Sequence, residues 1–140
     1  MTMTADWMCC SDLTLGAADD APYWARRSAE NTLGAWKVHD PDGVVLLMVS
    51  ELVTNAVAVS GPADPVRLRL IRLADRVRVT VWDRCSLQPA VRAADGEAAL
   101  ENEDGRGLWL VENLSIAWGW MLEASGGKFV WCEFLCDQWP

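Results

Sequence analysis

The sequence predicts an α+β fold, a two-layer sandwich in which helices pack on antiparallel strand pairs. Apolar residues recur at helical spacing in two early segments and alternate with polar residues in later ones. The segments follow the order helix, helix, strand, strand, loop, helix, strand, strand. A chain of 140 residues that is 51% hydrophobic and 23% charged is expected to form one domain, residues 1–140, with a substantial core.

The totals exclude several classes of function. A net charge of −8 argues against non-specific binding to nucleic acid or to an anionic membrane. No stretch approaches the ~20 apolar residues of a membrane span. We expect no signal peptide, because the first residues lack a basic segment followed by an apolar run. The five cysteines show no zinc-ligand spacing, and Cys132 and Cys136, which share one strand face, are expected to be small core residues. We expect a reduced, cytoplasmic location. Most of the nine tryptophans are expected in the core, with room left for an aromatic contact surface.

The first half of the chain predicts one strand and two helices. Leucines alternate with polar residues up to Leu15, which predicts a short first strand. An acid–proline start at residues 20–22 opens a helix that runs to about Trp36. The same start at residues 40–41 opens a strongly apolar helix, which ends at Ser60 before Gly-Pro.

The second half predicts two hairpins separated by a polar loop. Strands at Val66–Leu70 and Val77–Val81 alternate apolar and polar residues, and a second pair follows at 116–122 and 128–136. Between the hairpins, Leu87–Asp104 is acidic and alanine-rich, and a helix is expected from Leu108 to about Leu114.

The apolar second helix contains a carboxylate and an amide. Glu51 and Asn55 are four residues apart in the stretch S-E-L-V-T-N-A-V, so they lie on the same face. Buried helices rarely contain such groups unless they are used. The carboxylate can act as a base, and an amide oxygen beside it can bind a hard cation such as magnesium. An exposed polar stripe is the alternative, and it would be preferred for an isolated E-x-x-x-N.

Asp83 follows the Val77–Val81 strand, the second strand of the first hairpin. It has the same parity as Val77 and Val81, so it is expected to point toward the buried face. A carboxylate that enters the core layer needs a hydrogen-bond donor, and the exocyclic amine of adenine would suit it. An ion pair with Arg84, or a turn-capping role, is the alternative and is favoured for Asp83 considered alone.

A glycine pair precedes the predicted third helix. Gly105 and Gly107 would let the backbone approach a ligand, and the free amides at the helix start favour an anion such as phosphate. Arg106 could add a charge-assisted contact before the helix continues at Leu108. By itself G-x-G is a weak signal, because many loops before helices contain it.

Together these motifs resemble the GHKL ATPase fold, the superfamily of histidine kinases, gyrase-type ATPases and anti-sigma-factor serine kinases. The resemblance rests on S-E-L-V-T-N-A-V, the hairpin ending in V-W-D, E-D-G-R-G-L-W-L-V and G-G-K-F-V-W, and it extends from about Leu13 to Leu135. The chain is most similar to the small actinobacterial anti-sigma-factor-like ATP-binding proteins.

The resemblance implies a mixed, mostly antiparallel sheet with helices on one face. It implies that Glu51 is the general base, that Asn55 binds magnesium, that Asp83 contacts adenine, and that the 87–104 loop is an ATP lid. The nucleotide-binding residues it implies are Asn55, Asp83, Gly105, Arg106, Gly107 and Leu108. Three positions depart from the family pattern, because Cys85 replaces a glycine, Phe129 a threonine that helps hold adenine, and Val59 a histidine.

The resulting hypothesis is an ATP- and magnesium-dependent serine/threonine kinase of the anti-sigma-factor type that phosphorylates a small anti-anti-sigma-like protein. The alternative is a docking module that binds nucleotide weakly or not at all and sequesters a sigma factor or another transcription regulator. A homodimer is left open. His39, the one histidine, lies in a linker, which argues against a histidine kinase with its own phosphoacceptor.

Overall fold

The computed structural model of the protein describes residues 7–40, 42–89 and 110–136. Within these ranges the chain forms five strands and two long helices, with both helices between the first and second strands, and residues 110–114 are also helical. The elements are β1 (Trp7–Gly16), α1 (Ala21–Ala35), α2 (Val44–Ala58), β2 (Pro65–Leu73), β3 (Arg76–Asp83), β4 (Ala117–Leu122) and β5 (Lys128–Leu135).

The described strands form one sheet in the order β1-β2-β3-β5-β4, and every neighbouring pair is antiparallel. Helix α2 packs on β2, β3 and β5, while α1 packs on α2 and β1, so both helices lie on the same face. This confirms the predicted two-layer α+β fold. The β3–β5 register places Asp83 opposite Lys128 and Val81 opposite Val130, so the end of β3 lies beside the start of β5.

The core fixes α2 against the centre of the sheet. Met48 and Val53 of α2 and Val79 of β3 are completely buried, and Leu52 and Val81 nearly so. Each such side chain contributes about 1.5–3 kcal/mol on burial. The same contacts hold the C-terminal half of α2 over the end of β3, which is where the polar residues Asn55 and Asp83 come together.

Two predicted boundaries were wrong. Strand β1 is longer than expected, because it pairs with β2 from end to end. Helix α2 begins at Val44, after Gly43 in a left-handed conformation (φ 66°), and not at residues 40–41. The carboxylate of Asp40 accepts hydrogen bonds from the N–H groups of Val45 and Leu46, both at 3.3 Å, so this acid caps the helix from outside it.

The prediction that Cys132 and Cys136 lie in the core was confirmed, and the prediction that most tryptophans do so was wrong. Cys132 and Cys136 are buried, and each cysteine is a free thiol. Among the tryptophans whose side chains are described, Trp82 alone is buried, at 7% exposure, and Trp24 is 53% exposed. Indole rings cover the edges of the core here more than they fill it.

No helix in the described ranges is long and apolar enough to cross a bilayer.

Candidate functional site

A cavity of about 300 Å³ opens where α2 meets the end of β3 and the start of β5. Residues 85–89, which follow β3, form a third side. The walls are mostly apolar, and four polar side chains interrupt them. The lining residues are Leu52, Asn55, Ala56, Ala58, Val59, Val81, Asp83, Cys85, Leu87, Gln88, Pro89, Lys128 and Val130. This composition is typical of a small-molecule site.

Asp83 and Lys128 form a buried ion pair in the sheet wall of the cavity, at 2% and 3% exposure. Lys128 Nζ donates to Asp83 Oδ1 at 2.9 Å and to the Cys85 carbonyl oxygen at 3.2 Å. The Cys85 N–H donates to the same Oδ1 at 2.9 Å. Burial raises the pKa of the Asp83 carboxyl, although the Lys128 ammonium and the Cys85 N–H oppose that shift.

The structure therefore decides part of the prediction for Asp83. Its inward orientation is confirmed, and so is the turn-capping alternative, through the bond from Cys85. The predicted ion pair with Arg84 was wrong, because Arg84 Nε lies 3.2 Å from Asp64 Oδ1 instead. The true partner, Lys128, comes from a distant strand and cannot be found by local inspection. Contact with adenine stays a prediction.

Asn55 reaches the same cavity from α2. Its amide nitrogen, Nδ2, is buried and finds no hydrogen-bond partner among the described residues. A buried donor left without an acceptor costs about 1–3 kcal/mol, so such a group calls for an explanation. Turning the amide by 180° presents Oδ1 at that position, and an amide oxygen is a ligand that magnesium accepts. The residue fits the role of a cation or phosphate contact.

Glu51 is half-buried and lies one turn before Asn55 on α2. The cavity lining includes Asn55 but not Glu51 in the part of the chain that is described. Its role as general base stays a prediction. Gly105, Arg106, Gly107 and Leu108 lie outside the described residues, as does most of the predicted 87–104 lid. The structure thus describes Asn55 and Asp83 but not the glycine segment that is predicted to bind phosphate.

Lys128 was not predicted as a site residue, and Phe129 lies on the face of the sheet opposite to the expected one. Phe129 pairs with Trp82 and Met121 and lines a groove on the opposite face of the sheet. The residues of β5 that reach the cavity are its neighbours, Lys128 and Val130. The expected place of Phe129 beside adenine is therefore wrong, because successive strand residues point to opposite faces. The same parity rule that placed Asp83 would have placed Lys128.

The comparisons with known proteins agree with this fold. Residues 17–130 match the family model described as histidine kinase-like ATPase domain. Among solved structures, the fold resembles the crystal structure of the RsbU and RsbW domains of Rv1364c from Mycobacterium tuberculosis, with a TM-score of 0.62 and 21% identity. That likeness covers 91% of this chain and 32% of the other, so this chain spans only part of that protein's length. A search of curated proteins returned no match.

The likeness to the solved structure concerns the fold alone, whereas the family model covers most of the chain. The GHKL resemblance predicted from the motifs is thereby confirmed at the level of family and fold. The chain belongs to the histidine kinase-like ATPase domain family.

Proposed function

We propose that the protein binds ATP with magnesium and acts as an anti-sigma-factor-type serine/threonine kinase on a small anti-anti-sigma-like protein. The observation that carries this proposal is the meeting of Asn55 and Asp83 in one mostly apolar cavity. They come from separate segments, α2 and β3, and the family resemblance implies a nucleotide or metal contact for each. The family and the similarity of fold to a structure that contains an RsbW domain support the same reading.

The cavity suits the base of a nucleotide. Leu52, Val81 and Val130 supply apolar walls for a planar ring. Asp83 Oδ1 is already occupied by Lys128 and by the Cys85 N–H, so the exocyclic amine of adenine would use Oδ2. Asn55 lies on the α2 side, where its unpartnered amide would meet the phosphates or their metal.

The proposed reaction moves the γ-phosphoryl group of ATP to a serine hydroxyl of the partner. The bond between the γ-phosphorus and the bridging oxygen of ADP breaks, a bond to the serine oxygen forms, and Glu51 accepts the hydroxyl proton. Bound magnesium would neutralise charge on the phosphates. Asn55 would hold the metal through its amide oxygen, and Gly105, Arg106 and Gly107 would hold the phosphates, as the sequence predicts.

The test is calorimetric titration with ATP, with and without magnesium, followed by phosphate transfer to candidate partners. Glu51→Gln should leave ATP affinity nearly unchanged and lower transfer by ~10²–10⁴-fold, since the amide cannot accept the proton. Asn55→Ala should remove the magnesium dependence of binding. Glu30→Gln, an exposed change on α1, is the matched control and should change neither quantity. Wild-type transfer by Glu51→Gln would exclude Glu51 as the base.

A docking module that binds nucleotide weakly is the second candidate. The observation that favours it is the Asp83–Lys128 pair, which already occupies one oxygen of the carboxylate that would read adenine. Cys85, in place of the family's glycine, also lines the cavity. Such a protein would sequester a sigma factor or another regulator without phosphorylating it. Absence of ATP binding at millimolar concentration would favour this candidate and exclude the kinase.

A further inference from the structure

The Asp83–Lys128 pair has unused hydrogen-bonding capacity on the cavity wall. Asp83 Oδ1 accepts two hydrogen bonds, whereas Oδ2 accepts none from the described part of the chain. An ammonium group has three donors, and within the described residues Lys128 uses two, on Asp83 and on the Cys85 carbonyl. Because both side chains line the cavity, a ligand there meets an anionic acceptor and a cationic donor side by side.

We propose that Lys128 determines which base this cavity accepts, and that the pair binds guanine nucleotides at least as tightly as adenine nucleotides. This inference rests on the proposed function, because it concerns the nucleotide site of that same cavity. It departs from the adenine-only reading that the sequence motifs imply.

The hydrogen-bonding edge of guanine has donors that match the Asp83 carboxylate and an acceptor that matches the Lys128 ammonium. Guanine presents N1–H and N2–H₂ as donors, which Asp83 Oδ2 can accept, and a carbonyl oxygen, O6, which the Lys128 ammonium can contact. Lysine is a common partner of guanine O6 and N7, whereas adenine is typically read by side-chain amides. Hydrogen bonds that involve an ionised group are roughly twice as strong as neutral ones. Adenine offers Lys128 only a ring nitrogen, and its exocyclic amine brings partial positive charge near the ammonium.

Lys128 is a fixed part of the wall and not a side chain that a ligand can easily displace. It is buried, and it stands opposite Asp83 in the β3–β5 register. Moving it out would leave Asp83 as a buried carboxylate without its counter-ion, which is strongly unfavourable. A base must therefore be read in the presence of the ammonium, and this favours a carbonyl at that point.

The test is calorimetric titration of the wild-type protein with magnesium-GTP and magnesium-ATP under the same conditions. The two ligands have the same triphosphate, so the ratio of their dissociation constants isolates the base. We expect the dissociation constant for GTP to be smaller than that for ATP or to match it within threefold. Lys128→Gln should shift the ratio at least tenfold toward ATP, because glutamine can still donate to Asp83 but lacks the charge. Phe129→Leu, the neighbouring change on the other face, should leave the ratio unchanged.

The possible results of these titrations separate failure of this inference from failure of the proposed function. If wild-type protein binds ATP but binds GTP more than threefold more weakly, the inference fails and the proposed function stands. If GTP binds well but Lys128→Gln keeps the wild-type ratio, Lys128 is not the determinant. If neither nucleotide binds at millimolar concentration, both proposals fail. Should Lys128→Gln not fold, Lys128→Arg, which keeps the charge, should retain the wild-type ratio, and a shift toward ATP would count against the inference.

Discussion

The two faces of the sheet differ in chemistry although alternate residues of the same strands build both. On the helix-covered face, Val81, Asp83, Lys128 and Val130 surround a mostly apolar cavity that contains one buried ion pair. On the open face, the intervening residues Trp82 and Phe129 are aromatic, and arginines lie over the rings of Trp82 and Trp131. The arginine carbons lie close to indole rings, with Arg67 Cζ 4.8 Å from the Trp82 ring.

The difference lies in how far each charge is dehydrated. Arg76 and Arg78 on the open face both bond Glu133, whose side chain is 7% exposed, but the arginine side chains remain 32% and 39% exposed. Water therefore reaches the arginine end of each contact. Within the described ranges, the pair in the cavity is the ion pair in which both partners are almost fully buried. A charged group there has strong effects on stability and on any ligand, because little solvent screens it.

The largest expected effect follows from that contrast in dehydration. Lys128→Met removes the counter-ion of a buried carboxylate and should lower the free energy of unfolding by about 3–5 kcal/mol. Arg69→Met breaks the Arg69–Asp12 pair, whose side chains are 54% and 62% exposed, and should cost only about 0–1 kcal/mol. Urea denaturation of both variants measures the difference. Equal losses would mean that the cavity is as wet as the open face.

The junction between the two faces gives the next largest effect. A Cβ on Gly127, which has φ +81°, would overlap the Asp83 carbonyl oxygen and lie 2.8 Å from the Trp82 ring. A Cβ on Gly126, at φ +114°, meets nothing within 4 Å. Both alanine variants have backbone strain of about 1–3 kcal/mol, but only Gly127→Ala adds overpacking of about 1–3 kcal/mol. Thermal unfolding should therefore show Gly127→Ala as the less stable of the two, and the reverse order would contradict the geometry.

Local periodicity was enough to predict one half of the cavity. The helical pattern placed Asn55 on α2, and the strand pattern turned Asp83 inward, because each depends on residues close in sequence. Lys128 could not be paired with Asp83 in this way, since β5 inserts between β3 and β4 and its pairing with β3 joins strands that are distant in sequence. That insertion is set by packing across the whole sheet. Phe129 was misplaced for another reason, because its family position was trusted above its parity in the strand.

A smaller effect is expected on the rates at which cysteines on the two faces are labelled. Cys85 lines the cavity, whereas Cys10 is exposed on the edge strand β1, where partial burial raises its thiol pKa. With nucleotide at ten times its dissociation constant, labelling of Cys85 by iodoacetamide should slow about tenfold, because the free protein is then about a tenth of the total. Labelling of Cys10 should not change. Peptide mass spectrometry over a time course reports both rates, and equal protection would indicate a global effect of the ligand.

The smallest expected effect is on ATP affinity when Phe129 is changed, because we expect almost none. A threonine at this family position helps to hold adenine, so the sequence resemblance implies that Phe129→Thr should improve ATP affinity. The structure turns Phe129 toward the open face, and we therefore expect its dissociation constant for ATP to stay within about twofold of wild type. Val130→Thr is the matched change on the cavity face, and its hydroxyl should weaken binding by about 1 kcal/mol, or roughly fivefold.

Titration of Phe129→Thr and Val130→Thr with ATP compares the effect on affinity of a threonine hydroxyl on each face of β5. A clear gain in affinity for Phe129→Thr would mean that β5 shifts by one residue when nucleotide binds, since a one-residue shift exchanges the faces of every side chain in a strand. Such a shift would also turn Lys128 away from Asp83, leaving the carboxylate for the ligand. The response of Phe129 therefore tests whether the ion pair in the cavity persists in the nucleotide complex.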